Sequence, residues 1–261
     1  GVIHFAAYKA VGESVENPLK YYSNNIAGLV SVLNVLKKRP ETPFVFSSSC
    51  TVYGEPMGLK EVNENTAKSI PTSPYGYTKW LGEQIIDDLF NSNKQLKMMS
   101  LRYFNPIGAH ESALIGELPV GKPNNLLPFI TQTAAGMHEK LVIFGNDYPT
   151  SDGTCVRDYI HVSDLANIHI KTLKYINKNS KSLILNCGYG KPYSVLDIAN
   201  ILKRRNNNTQ INYKNRRPGD IAEVYSDTKK FDKILKLKPK YDQLECILDS
   251  AYKWENVMKK F

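Results

Sequence analysis

Three serines, a tyrosine and a lysine are the residues of this chain whose types and spacing suit acid–base chemistry. Ser47, Ser48 and Ser49 close the run Phe44-Val45-Phe46-Ser47-Ser48-Ser49, and Tyr75 precedes Lys79 by four positions in Ser73-Pro74-Tyr75-Gly76-Tyr77-Thr78-Lys79. A free phenol, with a pKa of about 10, is a poor base at neutral pH. A neighbouring ammonium and a helix N-terminus both favour the phenolate. The chemistry expected is proton transfer at a hydroxyl. Tyr75 takes the proton, Lys79 holds down the phenol's pKa, and Ser47, Ser48 or Ser49 relays or orients it. Glu83, four residues beyond Lys79, stands where it can pair with Lys79 and compete with that role, or form a weak surface salt bridge.

Spacing alone carries little weight. With 16 Tyr and 27 Lys in 261 residues, chance supplies roughly two Tyr-x-x-x-Lys pairs, and two occur, Tyr75/Lys79 and Tyr225/Lys229. Context separates them. Phe44-Val45-Phe46 reads as a buried parallel strand, and the serines sit at its carboxyl end, where open α/β sheets bind ligands. Ser73 as N-cap and Pro74 at the first helical position start a helix that runs to about Asn91, with Tyr75 and Lys79 on one face.

The other elements follow the same periodicities. Val2 to Ala6 is an opening strand, Asn17-Pro18 starts a helix reaching about Arg39, and Met98 to Phe104 is a further strand. From Ile107 the composition shifts to Gly, Pro and Asn, which predicts a smaller α+β domain. The division expected is 1–107 and 108–261, with some later segments returning to the first sheet. Leu244 to Met258 is a tail helix built for packing.

Composition narrows the classes. The chain is 42% hydrophobic and 23% charged, enough for a real core. It contains no apolar run of membrane-spanning length and no signal-like start, so no membrane association is expected. Cys50, Cys155, Cys187 and Cys246 have no paired spacing, which points to a reducing, cytoplasmic setting. The net charge of +9 is scattered rather than gathered into a stripe with aromatics, which argues against nucleic acid and suits small anionic ligands. The five histidines lack metal-ligand spacing, so no metal is expected, and no Gly-x-Ser-x-Gly elbow is present.

Several words around the serines and Tyr75 are more specific. Phe5-Ala6-Ala7-Tyr8-Lys9-Ala10-Val11-Gly12-Glu13-Ser14, Arg102-Tyr103-Phe104-Asn105-Pro106, Pro123-Asn124-Asn125-Leu126, Ile143-Phe144-Gly145-Asn146-Asp147-Tyr148 and Val156-Arg157-Asp158-Tyr159-Ile160-His161-Val162 follow in order. Together with Ser49 and Tyr75-x-x-x-Lys79, they resemble the extended short-chain dehydrogenase/reductase superfamily, and within it the UDP-glucose 4-epimerases, over residues 1 to about 230. The resemblance implies a Rossmann-like doubly wound parallel sheet with a smaller substrate domain. It also implies NAD as cofactor, a UDP-sugar as substrate, and interconversion of UDP-glucose and UDP-galactose through a 4-keto sugar.

Residue by residue, the resemblance gives Tyr75, Lys79 and Ser49 to catalysis. Phe5, Ala6, Lys9, Asn24, Ser47, Ser48 and Tyr103, with Tyr75 and Lys79, go to the cofactor. Phe104, Asn105, Asn124, Asn125 and Leu126 go to the sugar nucleotide, Val142 and Phe144 to uracil, and Arg157 to the diphosphate. Arg217 adds a second guanidinium, Asp220 suits a ribose diol, and a fork of N–H donors matches phosphate oxygens. Val224 borders the sugar pocket, where a small side chain leaves room for an N-acetyl group, so UDP-GlcNAc and UDP-GalNAc are also expected substrates. A homodimer is implied through the helices at 18–39 and 74–91.

One departure matters. No Gly-x-x-Gly-x-x-Gly or Gly-x-Gly-x-x-Gly occurs, although such a loop normally meets the dinucleotide pyrophosphate. The expectation is a chain lacking the first β-α units of the nucleotide-binding half. Two alternatives stand beside the epimerase reading: a non-catalytic UDP-sugar-binding or dimerising remnant, and another extended reductase such as a nucleotide-sugar dehydratase. The dehydratase needs an acid and a base, typically Asp-Glu, where this chain has Cys50-Thr51.

Overall fold

Short apolar runs and capped amphipathic stretches become strands and helices in a computed structural model that describes residues 1–119, 126–204, 210–217 and 219–260. Among the described residues the strands are β1 (Val2–His4), β2 (Phe44–Ser49), β3 (Glu61–Val62), β4 (Met98–Tyr103), β5 (Asn105–Ile107), β6 (Lys140–Phe144), β7 (Val156–His161), β8 (Ser182–Cys187), β9 (Pro192–Ser194), β10 (Gln210–Lys214) and β11 (Glu223–Ser226). The α-helices are α1 (Val11–Glu16), α2 (Pro18–Tyr21), α3 (Ala27–Leu36), α4 (Pro74–Ser92), α5 (Leu126–Ala134), α6 (Val162–Lys178), α7 (Val195–Lys203), α8 (Lys229–Leu235) and α9 (Leu244–Met258). The chain forms two compact units. One contains Gly1–Phe104, Asn167–Cys187 and Ser226–Leu237, and the other contains Asn105–Ala166, Gly188–Tyr225 and the segment from Lys238 onward.

The first unit is built on a parallel sheet in the order β1-β2-β4-β8. The register pairs Ser47 with Leu101, Ser48 with Arg102 and Ser49 with Tyr103. Strand β4 in turn pairs Arg102 with Asn186 and Tyr103 with Cys187. The apolar sides of α3 and α4 close one face: Leu29, Leu33, Leu36, Phe44, Phe46, Ile86, Leu96 and Met98 form one buried cluster. Helix α4 comes close to the sheet at Gly82, where a Cβ would lie 2.7 Å from Phe46 Cζ and 3.1 Å from Leu29 Cδ2. Any larger residue there pushes α4, and with it Tyr75 and Lys79, away from β2.

The helix expected from 18 to 39 is interrupted. Residues Tyr22–Ile26 form a π-helical turn between α2 and α3. The physical reason lies in Asn25, which is buried. Its Oδ1 accepts from Tyr8 N at 2.8 Å, and its Nδ2 donates to Tyr8 O and to Thr78 Oγ1, both at 3.1 Å. An extra residue in the turn directs this side chain inward, a recurrent use of such bulges. A period of 3.6 cannot reveal it.

In the second unit, β7 pairs in parallel with β5 and β11 and antiparallel with β9, while β6 and β10 form a parallel pair. Its core gathers Ile107, Ile130, Leu141, Ile143, Tyr159, Ile198, Leu202, Leu244, Ile247 and Leu248, so α9 is a packing helix as its pattern predicts. Helix α7 begins with a capping box in which Ser194 and Asp197 satisfy each other's backbone N–H groups.

Candidate active site

The predicted helix start is present at atomic detail. Ser73 Oγ accepts from Gly76 N at 3.2 Å, with Pro74 at the first helical position. This cap places Tyr75 in the first turn and Lys79 one turn further along. Lys79 is 4% exposed, donates to Ser47 O at 2.7 Å, and lies 5.8 Å from the centre of the Tyr75 ring. Tyr75, half-buried, is hydrogen-bonded to Ser49, and Ser49 Oγ also accepts from Thr51 N at 3.2 Å and Thr51 Oγ1 at 3.0 Å. Serine, phenol and ammonium thus converge at the carboxyl end of the parallel sheet.

The electrostatics differ from the sequence expectation in one respect. Burial pushes the Tyr75 phenol up to about 12, with the Ser49 hydrogen bond opposing the shift. Desolvation lowers Lys79 to about 8. Lys79 therefore does not hold the phenol down in this state: an ammonium that titrates at about 8 becomes neutral before the phenol ionises. Burial penalises both charges, and the proton rests on oxygen.

Glu83 also departs from expectation. It does not pair with Lys79 and is not a surface residue. Its carboxylate, 2% exposed, receives Arg102 Nε and Nη2, each at 2.8 Å, in a bidentate fork. Ser48 Oγ donates to the same carboxylate at 2.6 Å and Lys68 Nζ at 3.0 Å. Of the three serines, Ser48 thus spends its hydroxyl proton on Glu83, while Ser47 and Ser49 bond toward Tyr103 and Tyr75.

The remaining residues that the sequence assigns to the cofactor separate into two groups. Tyr103 OH is bonded to Ser47 and to His169 Nε2, the latter at 2.5 Å, and the Phe5 ring lies 4.9 Å from His169. Phe5, Ala6, Lys9 and Asn24 are exposed, and Asn24 Nδ2 donates to Asn25 Oδ1. Sequence reasoning missed Asn25, Thr51, Thr78 and His169. Arg102 was missed as well, and of these residues it alone carried a signal: a guanidinium within an apolar strand needs a buried anion.

Of the residues that the sequence assigns to the substrate, Ser49, Tyr75 and the buried Phe104 lie in the first unit, and the others that are described lie in the second. Phe144, on β6, carries the Arg217 guanidinium over its ring at 4.1 Å. Arg157 lies opposite Val224 in the β7–β11 register and donates from Nη1 to Val156 O at 2.9 Å. Val142 is half-buried beside Phe144 on β6, Val224 is buried, Asn105 is half-buried on β5, and Asp220 is exposed. Asn124 and Asn125 lie outside the described residues, and Leu126 is described only as the start of α5.

A parallel sheet with serines at its carboxyl end, facing a capped helix that carries Tyr and Lys one turn apart, defines an extended short-chain dehydrogenase/reductase. A family model described as GDP-mannose 4,6 dehydratase matches residues 1–249. The chain is 51% identical over 228 residues to UDP-glucose 4-epimerase of Haemophilus influenzae, covering 87% of this chain and 67% of that one. Among solved structures it is similar to UDP-glucose-4-epimerase from Stenotrophomonas maltophila with bound NAD and formylated UDP-arabinopyranose (TM-score 0.93, 41% identity, 99% of this chain and 76% of that one). It is similar as well to the Bifidobacterium longum enzyme in complex with NAD+ and UDP (TM-score 0.92, 41% identity, 98% and 76%). The chain belongs to the UDP-glucose 4-epimerase family.

Proposed function

We propose that the protein interconverts UDP-glucose and UDP-galactose at C4, with Tyr75 as the base and acid. The observation that carries this reading is the Ser49–Tyr75–Lys79 arrangement. Tyr75 exchanges the proton of the sugar 4-hydroxyl, Ser49 bonds to the same oxygen, and Lys79 supplies the charge that stabilises phenolate as it forms. The oxygen of a 4-keto sugar accepts from both hydroxyls while the ring turns over, and Tyr75 returns the proton. The donor set fits the nicotinamide half of NAD: hydroxyls of Ser47 and Tyr103 and the Lys79 ammonium suit its amide and ribose diol, with Phe5, Ala6, Lys9, Asn24 and the Ser48 segment at its margin. NAD held there would supply a reversible hydride acceptor for C4, so that the hydride could return to the opposite face.

In the second unit, the Phe144–Arg217 pair and Val142 suit a uracil, Arg157 the diphosphate, and Asp220 a ribose diol. We assign Asn105 to the phosphate side, Phe104, Asn124, Asn125 and Leu126 to the sugar nucleotide, and Val224 to the edge of the sugar pocket. A valine there leaves room for an N-acetyl group, so UDP-GlcNAc and UDP-GalNAc are included.

Homodimerisation through 18–39 and 74–91 is supported by the exposed apolar side chains Leu19, Val35 and Leu81. A cytoplasmic setting is supported by four free cysteines. No helix among the described residues is long and apolar enough to cross a membrane.

The test is a coupled assay on the full-length protein with each UDP-sugar pair, together with release of bound nucleotide on denaturation. Interconversion with retained NAD is expected. UDP-sugar binding without NAD and without turnover would overturn the catalytic reading, and a dead acetylated pair would remove that part alone.

A further inference from the structure

Every segment that carries a reacting group in the first unit is tied to one buried carboxylate. Glu83 Oε1 accepts from Ser48 Oγ and Arg102 Nε, and Oε2 accepts from Arg102 Nη2 and Lys68 Nζ. Behind it, Arg102 Nη1 donates to Tyr53 OH at 2.9 Å, and Tyr53 OH donates to Asn186 Oδ1 at 2.6 Å. Asn186 closes the network through Val62 O at 2.8 Å and Glu64 Oε1 at 2.7 Å. We propose that Glu83 is a positioning residue for the reaction: by holding Ser48, Arg102 and Lys68 it fixes β2, β4 and the segment before Ser73 against α4, so that Ser49 meets Tyr75. The proposal rests on the reading of Tyr75 as the base.

Its logic is the alternation of side chains along a strand. Ser48 lies between Ser47 and Ser49, and Arg102 immediately precedes Tyr103, which is paired with Ser49 across the sheet. Binding Ser48 and Arg102 on the α4 side fixes the roll of both strand ends and sends Ser47, Ser49 and Tyr103 to the other face. Glu83 sits about 12 Å along α4 from Tyr75 at 1.5 Å per residue, so its fork also fixes the helix's rotation and height. Lys68 adds the loop that leads into the Ser73 cap. Bulk stability does not call for this arrangement. Well-packed apolar side chains replace a buried ion pair without loss, whereas a two-pronged ionic contact defines a single register.

The test uses the full-length protein with two variants. In Glu83→Met/Arg102→Met both charges go and the volume is filled. In Lys68→Met the buried pair stays and only the loop tether is lost. The expected result for the double variant is a thermal midpoint near the parent's, kcat lowered on the order of 10–100-fold and KM within about twofold. In the purified protein, the 13Cζ resonance of labelled Tyr75 is expected to titrate at higher pH, because the Ser49 bond is weakened. Lys68→Met is expected to lose kcat several-fold with no change in KM.

A folded double variant with kcat within twofold of the parent and an unmoved Tyr75 titration would overturn the proposal. If the double variant fails to fold, an unchanged kcat in Lys68→Met overturns it instead. A parent that interconverts no UDP-sugar, with a Tyr75 titration that still moves in the double variant, would support the positioning role and refute the assigned reaction.

Discussion

Replacing Lys79 with Met removes a charge placed to stabilise the Tyr75 phenolate, and the structure sets the size of the effect. Moving a proton from a phenol at about 12 to an amine at about 8 costs about 5 kcal/mol. The ammonium, 5.8 Å from the ring centre, returns about 3 kcal/mol at an effective dielectric constant of about 20. The phenolate–ammonium pair therefore lies about 2–3 kcal/mol above the neutral pair, a population on the order of one per cent. Without Lys79 the phenolate at pH 8 falls to about 10⁻⁴. The expected loss in kcat is about 10²-fold. The pH profile separates this from misfolding. In the parent, kcat rises with pH until about 8 and then levels, because the ion pair and the neutral pair hold the same number of protons. In Lys79→Met the break disappears and log kcat keeps climbing through pH 10. A variant that retains the break near pH 8, or loses less than about fivefold, refutes the reasoning.

The same lysine has a signature in stability. Its folded pKa is about 8 and its ordinary value 10.5, so between those pH values the unfolded chain binds more protons and stability rises with pH. The penalty is fully present below pH 8 and amounts to about 3 kcal/mol, so Lys79→Met is expected to melt higher at pH 7 and to flatten the slope of Tm against pH from 7 to 10.5. Tyr75→Phe is expected to lower kcat on the order of 10²–10⁴-fold and leave the Kd for UDP, measured by calorimetry, within about twofold. Gly82→Ala drives a methyl to within 2.7 Å of Phe46 Cζ. Overpacking costs about 1–3 kcal/mol against a helix-propensity gain of about 1, so a net loss is expected in chemical denaturation.

The parts of the molecule legible in its sequence are those written in local chemistry. Ser73-Pro74 specifies a helix start without reference to anything distant, and Tyr75 and Lys79 share a face because four residues make roughly one turn. Phe44-Val45-Phe46 declares a buried strand through composition, and the Leu244–Met258 pattern declares packing. What stayed hidden depends on partners that only the sheet brings together. Glu83 stands four residues after Lys79, so local spacing pairs those two, yet its guanidinium comes from Arg102 on β4 and its third and fourth donors from Ser48 and Lys68. Asn25 differs again: its role appears only because Tyr22–Ile26 adopts a π-helical turn.

The tuning of Tyr75 was illegible for a subtler reason. Adjacent charges predict a depressed phenol, but the burial that brings Lys79 to within reach also lowers Lys79 to about 8, so that it gives up its own proton before the phenol does. Sequence proximity supplies the sign of an interaction between two charges. It does not supply the desolvation that decides whether either charge exists, and in this site desolvation is the larger quantity. On the proposed reading the lysine's contribution comes as the phenolate forms, when the pair can exist, and the pH at which kcat levels is expected to follow Lys79 rather than Tyr75.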